Sequence, residues 1–403
     1  MHSFSHQRMD APSRRAHPIS ERNPMQVYLD NSATTRVCPE AAQAAMDMMT
    51  QVYGNPSSLY PLGMEAEKRL RLARNQVANA FGCEETEVCF TSGGTESDNM
   101  AIFGTAQARR HQGRELITSA VEHPAVLECF RQLGQQGWKV TYIGVDDKCR
   151  LDLEALRAAI TEETVLLSFM TVNNETGAIF PIEEISRMKG QATLHTDGVQ
   201  ALGKEDLTHL GADLISVSGH KIFAPKGVGA LYIRKGIKLP PLLQGGGQEK
   251  GLRSGTENTP GIVALGKAVE LAVSQRTQRM AQVQQARDRL LEGIQSQISD
   301  VVINSPQEGC PAVLSVSFLG TRGEVLLHTL EQDQIYVSTG SACSSGKKGG
   351  SHVLRAMGLS EEAIAGTVRF SFSPWHTPEE MDYVTDRLAA AVARMRNLRR
   401  KSR

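Results

Sequence analysis

Two groups of polar residues follow candidate β-strands of the sequence, where an α/β protein places its chemistry. Residues 91–99, TSGGTESDN, follow a candidate strand over 87–90. The glycines of this segment let the backbone come close to a ligand. Thr95 offers a hydroxyl beside the free backbone amides at the start of a helix, and these groups together are suited to binding a phosphate. The segment lacks the Walker lysine and the G-x-G-x-x-G spacing, so it predicts neither a nucleoside triphosphate nor a dinucleotide site. Taken alone, an ordinary helix-capping loop is the simpler interpretation.

The second group consists of two charged residues that follow later candidate strands. Asp197 comes directly after the strand predicted over 193–196, where it could pair with a protonated ring nitrogen or cap a helix. Lys221 lies in SGHK, residues 218–221, after the strand predicted over 214–217. A lysine next to a buried strand is costly to bury unless it reacts or pairs, which makes Lys221 a candidate for a Schiff base. A surface lysine after a turn is the alternative.

Together these groups describe the site of one cofactor. A phosphate loop, a carboxylate for a pyridine nitrogen and an amine for an aldehyde are what pyridoxal 5′-phosphate (PLP) requires. Cys343 adds a possible nucleophile, in the Gly- and Ser-rich segment TGSACSSGKKGG, residues 339–350. That composition favours a mobile segment over a buried structural thiol, and Lys347 and Lys348 favour the thiolate. An incidental loop cysteine is the alternative.

The elements that must position these residues alternate along the chain. From Val27 onward, short apolar runs alternate with helical patterns, which predicts a doubly wound, mostly parallel sheet whose ligands bind beyond the strands' carboxyl ends. After Gly255 one long helix is predicted over 262–298, followed by strand-like segments typical of a smaller α+β domain. We expect a large domain over 41–276, a small domain formed by 25–40 and 277–403, and a disordered extension over 1–24. Strands are predicted over 87–90, 115–118, 165–170, 193–196, 214–217, 229–233, 313–318, 335–338 and 368–373, and further helices over 64–81, 153–160 and 323–331.

Composition excludes several classes of protein. The 403 residues include 44 Lys+Arg and 44 Asp+Glu, and this neutral balance gives no support for a nucleic-acid or anionic-membrane surface. No apolar run approaches the ~18 residues of a membrane span. The first 24 residues lack the apolar stretch of a secretory signal, so we expect a cytoplasmic protein. The seven cysteines are odd in number and form no C-x-x-C pair, which indicates free thiols in a reducing compartment and predicts no metal site.

Ten short motifs in order along the chain carry a family resemblance. The chain resembles the cysteine desulfurases of the NifS/IscS type, in the class V aminotransferase group of fold-type I PLP enzymes. The resemblance runs from Val27 to about Arg369 and leaves the N-terminal extension outside. It implies a large domain with a mostly parallel seven-stranded sheet and a smaller α+β C-terminal domain. The motifs are LDNSATT (29–35), GNPSS (54–58), SGGTESDN (92–99), EHPAV (122–126), VNNETG (172–177), HTDGVQ (195–200), SGHK (218–221), GGGQEKGLRSGTEN (245–258), TGSAC (339–343) and VLRAMG (353–358).

The resemblance also implies roles for individual residues. Lys221 forms the Schiff base, His123 stacks on the pyridine face, and either of them moves the substrate Cα proton. Asp197 pairs with the ring nitrogen and Gln200 with the phenolic oxygen. The positions that bind the phosphate are Gly94, Thr95, Ser218, His220 and, from the partner subunit of a homodimer, Thr256. Asn174, also a cofactor contact, and Arg369 hold the substrate carboxylate.

The implied reaction removes sulfur from L-cysteine, releases L-alanine and leaves a persulfide on Cys343. A sulfur-acceptor protein, either an iron–sulfur scaffold or a tRNA-thiolation relay, then collects the sulfur. The alternatives are a selenocysteine lyase, a related PLP-dependent aminotransferase and a non-enzymatic sulfur-transfer scaffold. Cys343 argues against the aminotransferase, and the intact Lys221, Asp197 and His123 argue against the scaffold. Only kinetics would separate a selenocysteine lyase from a cysteine desulfurase. Tyr60, SSGKKGG (344–350) and residues 373–376 depart from the common family pattern, which bears on partner specificity and loop dynamics.

Overall fold

The computed structural model of the protein describes residues 26–339 and 350–401. Cys343, Lys347, Lys348 and the predicted extension over 1–24 lie outside the described residues. The helices are α1 Pro39–Thr50, α2 Pro61–Phe81, α3 Gly94–Arg109, α4 Pro124–Gln135, α5 Leu153–Ala159, α6 Ile182–Met188, α7 Thr259–Ser274, α8 Arg276–Gln297, α9 Gly323–Gln332, α10 His352–Ala356, α11 Glu361–Ala365 and α12 Pro378–Lys401. The strands are β1 Val27–Tyr28, β2 Val88–Thr91, β3 Glu115–Ser119, β4 Lys139–Ile143, β5 Thr164–Ser168, β6 Thr193–Asp197, β7 Leu214–Ser218, β8 Gly229–Ile233, β9 Val301–Ile303, β10 Val313–Phe318, β11 Ile335–Tyr336 and β12 Thr367–Ser371.

The largest sheet has seven strands in the order β2-β8-β7-β6-β5-β3-β4. Only β8 runs antiparallel to its neighbours, so the predicted mostly parallel α/β fold is confirmed. Every residue of β5, β6 and β7 is buried. Apolar runs are typical of such buried strands, and β5, TVLLS, contains one, whereas β6, TLHTD, buries mostly polar side chains. The edge strand β4 was not predicted, because its residues are only partly buried and show no such run.

The prediction of one long helix over 262–298 is wrong. Two helices, α7 and α8, meet at Gln275, whose ψ of 10° leaves the helical range. Helix α7 is mostly buried and packs on α1 and α2, whereas α8 is polar and packs on α12. Both helices have a composition that favours helix, so the sequence gives no local signal for the break at Gln275. The break is needed because the two helices pack on different partners.

Two smaller sheets are built from strands that follow the seven-stranded sheet in the chain, joined by β1 from before it. Strand β10 pairs antiparallel with β12 and β9, and β1 pairs in parallel with β11. The segment after β1 crosses from these sheets to the seven-stranded one: Asp30 bridges Ser371 of β12, and the Thr35 N–H donates to the His220 carbonyl oxygen. Residues near the N-terminus thus connect Arg369 on β12 with Lys221. None of the helices in the described ranges is long and apolar enough to cross a membrane.

Candidate active site

The predicted phosphate cradle forms where β2 leads into α3. Gly93, at the helix N-cap, has no side chain to satisfy the first-turn amides, so these amides are available to an anion. Ser218, at the end of β7, lies against this turn, since a Cβ added to Gly93 would be 3.6 Å from its Oγ. Behind the turn, a Cβ added to Gly229 would be 2.7 Å from the Gly93 Cα. The structure therefore brings Gly94, Thr95 and Ser218 together in a cradle that glycines keep narrow.

Lys221 ends a short 3₁₀ turn that follows β7, and residues from the N-terminal segment hold it there. Its Nζ donates hydrogen bonds to the carbonyl oxygens of Ser32 and, at 2.8 Å, Ala33. The Thr35 hydroxyl donates to the His220 carbonyl oxygen at 3.0 Å and accepts from the Phe223 N–H at 2.8 Å. Phe223 has a φ of 68°, a left-handed conformation that a bulky residue adopts only when its surroundings impose it. Thr35 thus braces the chain on both sides of Lys221.

Asp197 ends β6, and its side chain is buried. Its Oδ1 accepts the Val199 N–H at 2.9 Å, so the carboxylate caps a turn, whereas the helix that the alternative interpretation expected after it is not formed. Burial raises the pKa of Asp197 above its usual value, and the Val199 N–H and the Lys221 ammonium oppose that rise. The influence of Lys221 means that the amine and the carboxyl lie within electrostatic range of each other, as a ring held between them requires.

His123 is the N-cap residue of α4, and its Nδ1 accepts the Ala125 N–H at 3.2 Å. Burial, followed by the charges of Lys221 and His352, lowers the pKa of His123 to about 4. The imidazole is therefore neutral at pH 7, and the acceptor role of Nδ1 leaves the proton on Nε2. Burial and Lys221 likewise lower the pKa of His220 to about 4.

Gln200 shares a hydrogen-bond acceptor with Lys221. Its Nε2 donates to the Ser32 carbonyl oxygen at 3.0 Å, and its Oε1 accepts from the Lys204 Nζ at 3.2 Å. Since an ammonium can only donate, Lys204 fixes the orientation of the amide. The donor end of Gln200 therefore points to the Lys221 side, where the resemblance places the phenolic oxygen.

Arg369 and Asn174, the predicted carboxylate-binding pair, are in contact. The Arg369 Nη1 donates to the Asn174 carbonyl oxygen at 3.0 Å, and its Nη2 lies 2.9 Å from Asp30 Oδ1. Its Nε is buried and has no hydrogen-bond partner among the described residues. A buried guanidinium N–H without a partner is suited to a carboxylate ligand.

Thr256 is not joined to this group. It is exposed, and within the described ranges no hydrogen bond links it to Lys221 or to the cradle. Its segment is nevertheless tied to α3, because Arg253 Nε lies 2.9 Å from Glu96 Oε1. A buried ion pair with Arg74 holds Glu249 of the same segment against α2, and the Glu249 carboxylate also accepts the Phe90 N–H of β2 at 2.9 Å.

The comparisons with known proteins establish the family of the chain. The family model for Aminotransferase class-V matches residues 27–384. The chain belongs to the class-V aminotransferase family. This family is PLP-dependent, so the predicted resemblance, fold and cofactor are confirmed.

Several class-V relatives are named cysteine desulfurases. Cysteine desulfurase IscS of Clostridium botulinum is 43% identical over 380 residues, which cover 93% of this chain and 96% of the relative. The IscS of Methanosarcina thermophila is 46% identical over 376 residues, 92% of this chain and 93% of the relative. A solved NifS-like protein superposes with a TM-score of 0.86 at 38% identity, covering 92% of this chain and all of that one.

Beside Asp197 lies a buried polar network that was not predicted from the sequence. His195, two residues before Asp197 on β6, lies 2.8 Å from Ser168 Oγ and 2.9 Å from Ser216 Oγ. Asp98 of α3 lies 3.5 Å from His195 Nε2, and burial, then the charge of Asp197, raises the Asp98 pKa well above its usual value. The signal was present in HTDGVQ, because His195 and Asp197 share one face of a strand.

These residues fit the family's cofactor. A glycine-lined helix N-terminus with Ser218 suits a phosphate, and a buried carboxylate at Asp197 suits a protonated pyridine nitrogen. The amine of Lys221 lies within electrostatic range of that carboxylate and suits the aldehyde. The fit rests on the donor chemistry, and the three groups lie together at the carboxyl ends of β2, β6 and β7.

Proposed function

We propose that this chain is a PLP-dependent cysteine desulfurase. It removes sulfur from L-cysteine, releases L-alanine and holds the sulfur as a persulfide on Cys343. The observation that carries the proposal is that the charge of Lys221 acts on both the buried Asp197 and the half-buried His123, while Ser218, three residues before Lys221, lies against the glycine cradle. The names of the relatives support the choice of L-cysteine as substrate.

PLP, when bound, would supply an electron sink for the substrate Cα. The Lys221 amine would bind its aldehyde and, with the neutral His123, would move the substrate Cα proton. The Asp197 carboxylate would hold the proton on the ring nitrogen, and the Gln200 amide would donate to the phenolic oxygen. The amides of Gly94 and Thr95, together with Ser218 and His220, would hold the phosphate, to which the partner subunit's Thr256 would contribute.

The substrate is held by its carboxylate and loses its sulfur to a thiolate. The unpartnered Nε of Arg369 donates to the carboxylate, and Asn174 lies beside it. The Cys343 sulfur forms an S–S bond while the substrate's C–S bond breaks. The electron pair of that C–S bond stays on the substrate carbon. This carbon takes up a proton, and the product leaves as L-alanine.

The other cysteines support Cys343 as the sulfur carrier. Burial raises the pKa of Cys83, Cys129 and Cys149 to about 12 and that of Cys310 to about 11. It also raises the pKa of the two remaining described thiols, Cys38 and Cys89. All six thus keep their protons at neutral pH and are poor nucleophiles.

The active unit is a homodimer that passes sulfur to an acceptor protein in the cytoplasm. Large apolar side chains are exposed around the start of α2, which is typical of a surface that a protein partner covers: Leu59, Tyr60, Leu62 and Met64. The six cysteines in the described part of the chain are all free, which suits a reducing compartment. The acceptor is an iron–sulfur scaffold or a tRNA-thiolation relay.

Turnover by a Lys221→Ala variant tests the proposal. We expect the wild type with PLP to release L-alanine and, with a reductant, sulfide from L-cysteine in equal amounts, and to prefer L-cysteine to L-selenocysteine. Lys221→Ala abolishes turnover, whereas the matched exposed control Lys148→Ala keeps it. Wild-type rates in Lys221→Ala would refute the role of this lysine. Light scattering that shows a fully active monomer would refute the shared site.

A further inference from the structure

The guanidinium that is proposed to bind the substrate carboxylate already holds a carboxylate of this chain. Arg369 Nη2 lies 2.9 Å from Asp30 Oδ1, and the side chains of the two residues are 4% and 22% exposed. Glu175 also interacts electrostatically with Arg369, but its carboxyl accepts a hydrogen bond from the Ser351 hydroxyl. Asp30 is therefore the acidic partner in direct contact with the Arg369 guanidinium.

Asp30 is fixed in this position by the strand that carries Arg369. The residues that follow it are bonded to Ser371, two positions beyond Arg369 on β12. The Asn31 Nδ2 donates to the Ser371 carbonyl oxygen at 2.9 Å, and the Ser32 N–H donates to the Ser371 Oγ at 2.8 Å. The Ser371 N–H in turn donates to the Leu29 carbonyl oxygen at 2.7 Å. Because its neighbours are anchored on both sides, Asp30 stays beside Arg369 when a ligand arrives.

A fixed carboxylate beside a carboxylate-binding arginine lowers the affinity of the site for anions. It offsets part of the guanidinium charge and repels a second carboxylate, and in a buried site this effect is little screened by salt. The product L-alanine has the same carboxylate as L-cysteine, so tight binding at Arg369 would also retain the product.

We propose that Asp30 is a specificity-determining residue that limits how tightly the site holds an α-carboxylate and so allows L-alanine to leave. The inference rests on the proposed function, in which Arg369 binds the substrate carboxylate. It predicts that the charge of Asp30 is coupled to the charge of the ligand's carboxyl group and to no other part of the ligand.

Binding of L-alanine and L-alaninamide to the PLP-loaded enzyme measures this coupling. Asp30→Asn keeps the Oδ1 acceptor for Arg369 and removes the charge. We expect it to lower the calorimetric Kd of L-alanine about tenfold, within the range typical of coupled sites. The Kd of L-alaninamide, which lacks the negative charge, should stay unchanged. The KM for L-cysteine should fall by a similar factor with no gain in kcat.

Matched variants separate this effect from others. Asp147→Asn removes an exposed charge far from the site in sequence and should change neither Kd. If Asp30→Asn does not fold, Asp30→Ser also removes the charge and repeats the test. Equal changes for both ligands, no change, or weaker L-alanine binding would each overturn the inference.

Arg369→Ala distinguishes failure of the inference from failure of the proposed function. The proposed function requires this variant to weaken L-alanine binding more than L-alaninamide binding. If it does so while Asp30→Asn has no effect, only the inference fails. If Arg369→Ala leaves L-alanine binding intact, the carboxylate site itself is misassigned.

Discussion

Glu122 carries a proton that makes the stability of the protein depend on pH. Its side chain is fully buried, and its Oε1 accepts both the Ser119 hydroxyl at 2.6 Å and the Met170 N–H at 3.1 Å. The Oε2 is buried without a hydrogen-bond partner in the described part of the chain. Burial raises the pKa of Glu122 from 4.5 to about 8. Glu122→Gln keeps the Oε1 acceptor and removes the ionisable group.

The sign of the effect follows from proton binding. Between pH 4.5 and about 8, the folded protein keeps a proton on Glu122 that the unfolded chain has lost. The free energy of unfolding therefore falls as the pH rises, by about 1.4 kcal/mol per pH unit. From pH 5 to pH 8, the effect of Glu122 lowers the free energy of unfolding by about 4 kcal/mol. With an unfolding entropy of about 0.8 kcal/mol/K for a chain of this length, that corresponds to about 5 °C in Tm.

Thermal unfolding of the cofactor-free protein at pH 5 and pH 8 measures the difference. We expect the Tm of Glu122→Gln relative to wild type to rise by about 5 °C between the two pH values. A constant cost from burying the new amide cancels in this comparison. Glu154→Gln, whose side chain is 83% exposed, is the control and should follow the wild type. A difference in Tm between Glu122→Gln and wild type that is the same at pH 5 and pH 8 would refute the reasoning.

Three further changes test how the site is held. Thr35→Val removes the hydroxyl that braces the turn around Lys221 and should weaken PLP binding about tenfold in a fluorescence titration, a loss within the usual range for buried hydrogen bonds. Gly229→Ala places a Cβ 2.7 Å from the Gly93 Cα and should also raise the Kd for PLP, because the cradle must shift. Arg74→Ala leaves the carboxylate of Glu249 buried without its cation and should cost about 3–5 kcal/mol, which scanning calorimetry would detect as a lower Tm.

Each of these changes has a matched control. Thr35→Ser keeps the hydroxyl and should restore PLP affinity. Gly144→Ala adds a Cβ with no atom within 4 Å and should be neutral, and Arg69→Ala breaks only the exposed pair with Glu65. A control that behaves like its test variant would contradict the corresponding assignment. So would a test variant that behaves like the wild type.

The parts of the fold that the sequence predicted are those with strong local signals. The strands β5, β6 and β7 are fully buried, and their predicted bounds agree with the structure to within two residues. The edge strand β4 and the break at Gln275 have weak local signals, because partial burial and packing partners decide them.

The same division applies to the candidate site. Roles were predicted for Thr95, Asp197 and Lys221 because each lies at or just after a strand end and has a side chain suited to the same cofactor. Asp30 and Thr35 lie in a quoted motif but had no predicted role. Their partners are 339 and 185 residues away in the chain, so only the folded structure shows what they contact. Asp98 was missed because it lies inside a helix.

Peptide mass mapping under non-reducing conditions tests the central claim most directly, namely that Lys221 handles the carbon chemistry and Cys343 the sulfur. PLP-loaded wild type treated with L-cysteine should gain the mass of one sulfur atom on the Cys343 peptide, and a reductant should remove it. Cys343→Ser should gain no sulfur and should release L-alanine only at background, while L-cysteine still shifts its PLP absorption band. A persulfide on Cys310 or Cys129, or normal turnover by Cys343→Ser, would contradict the account.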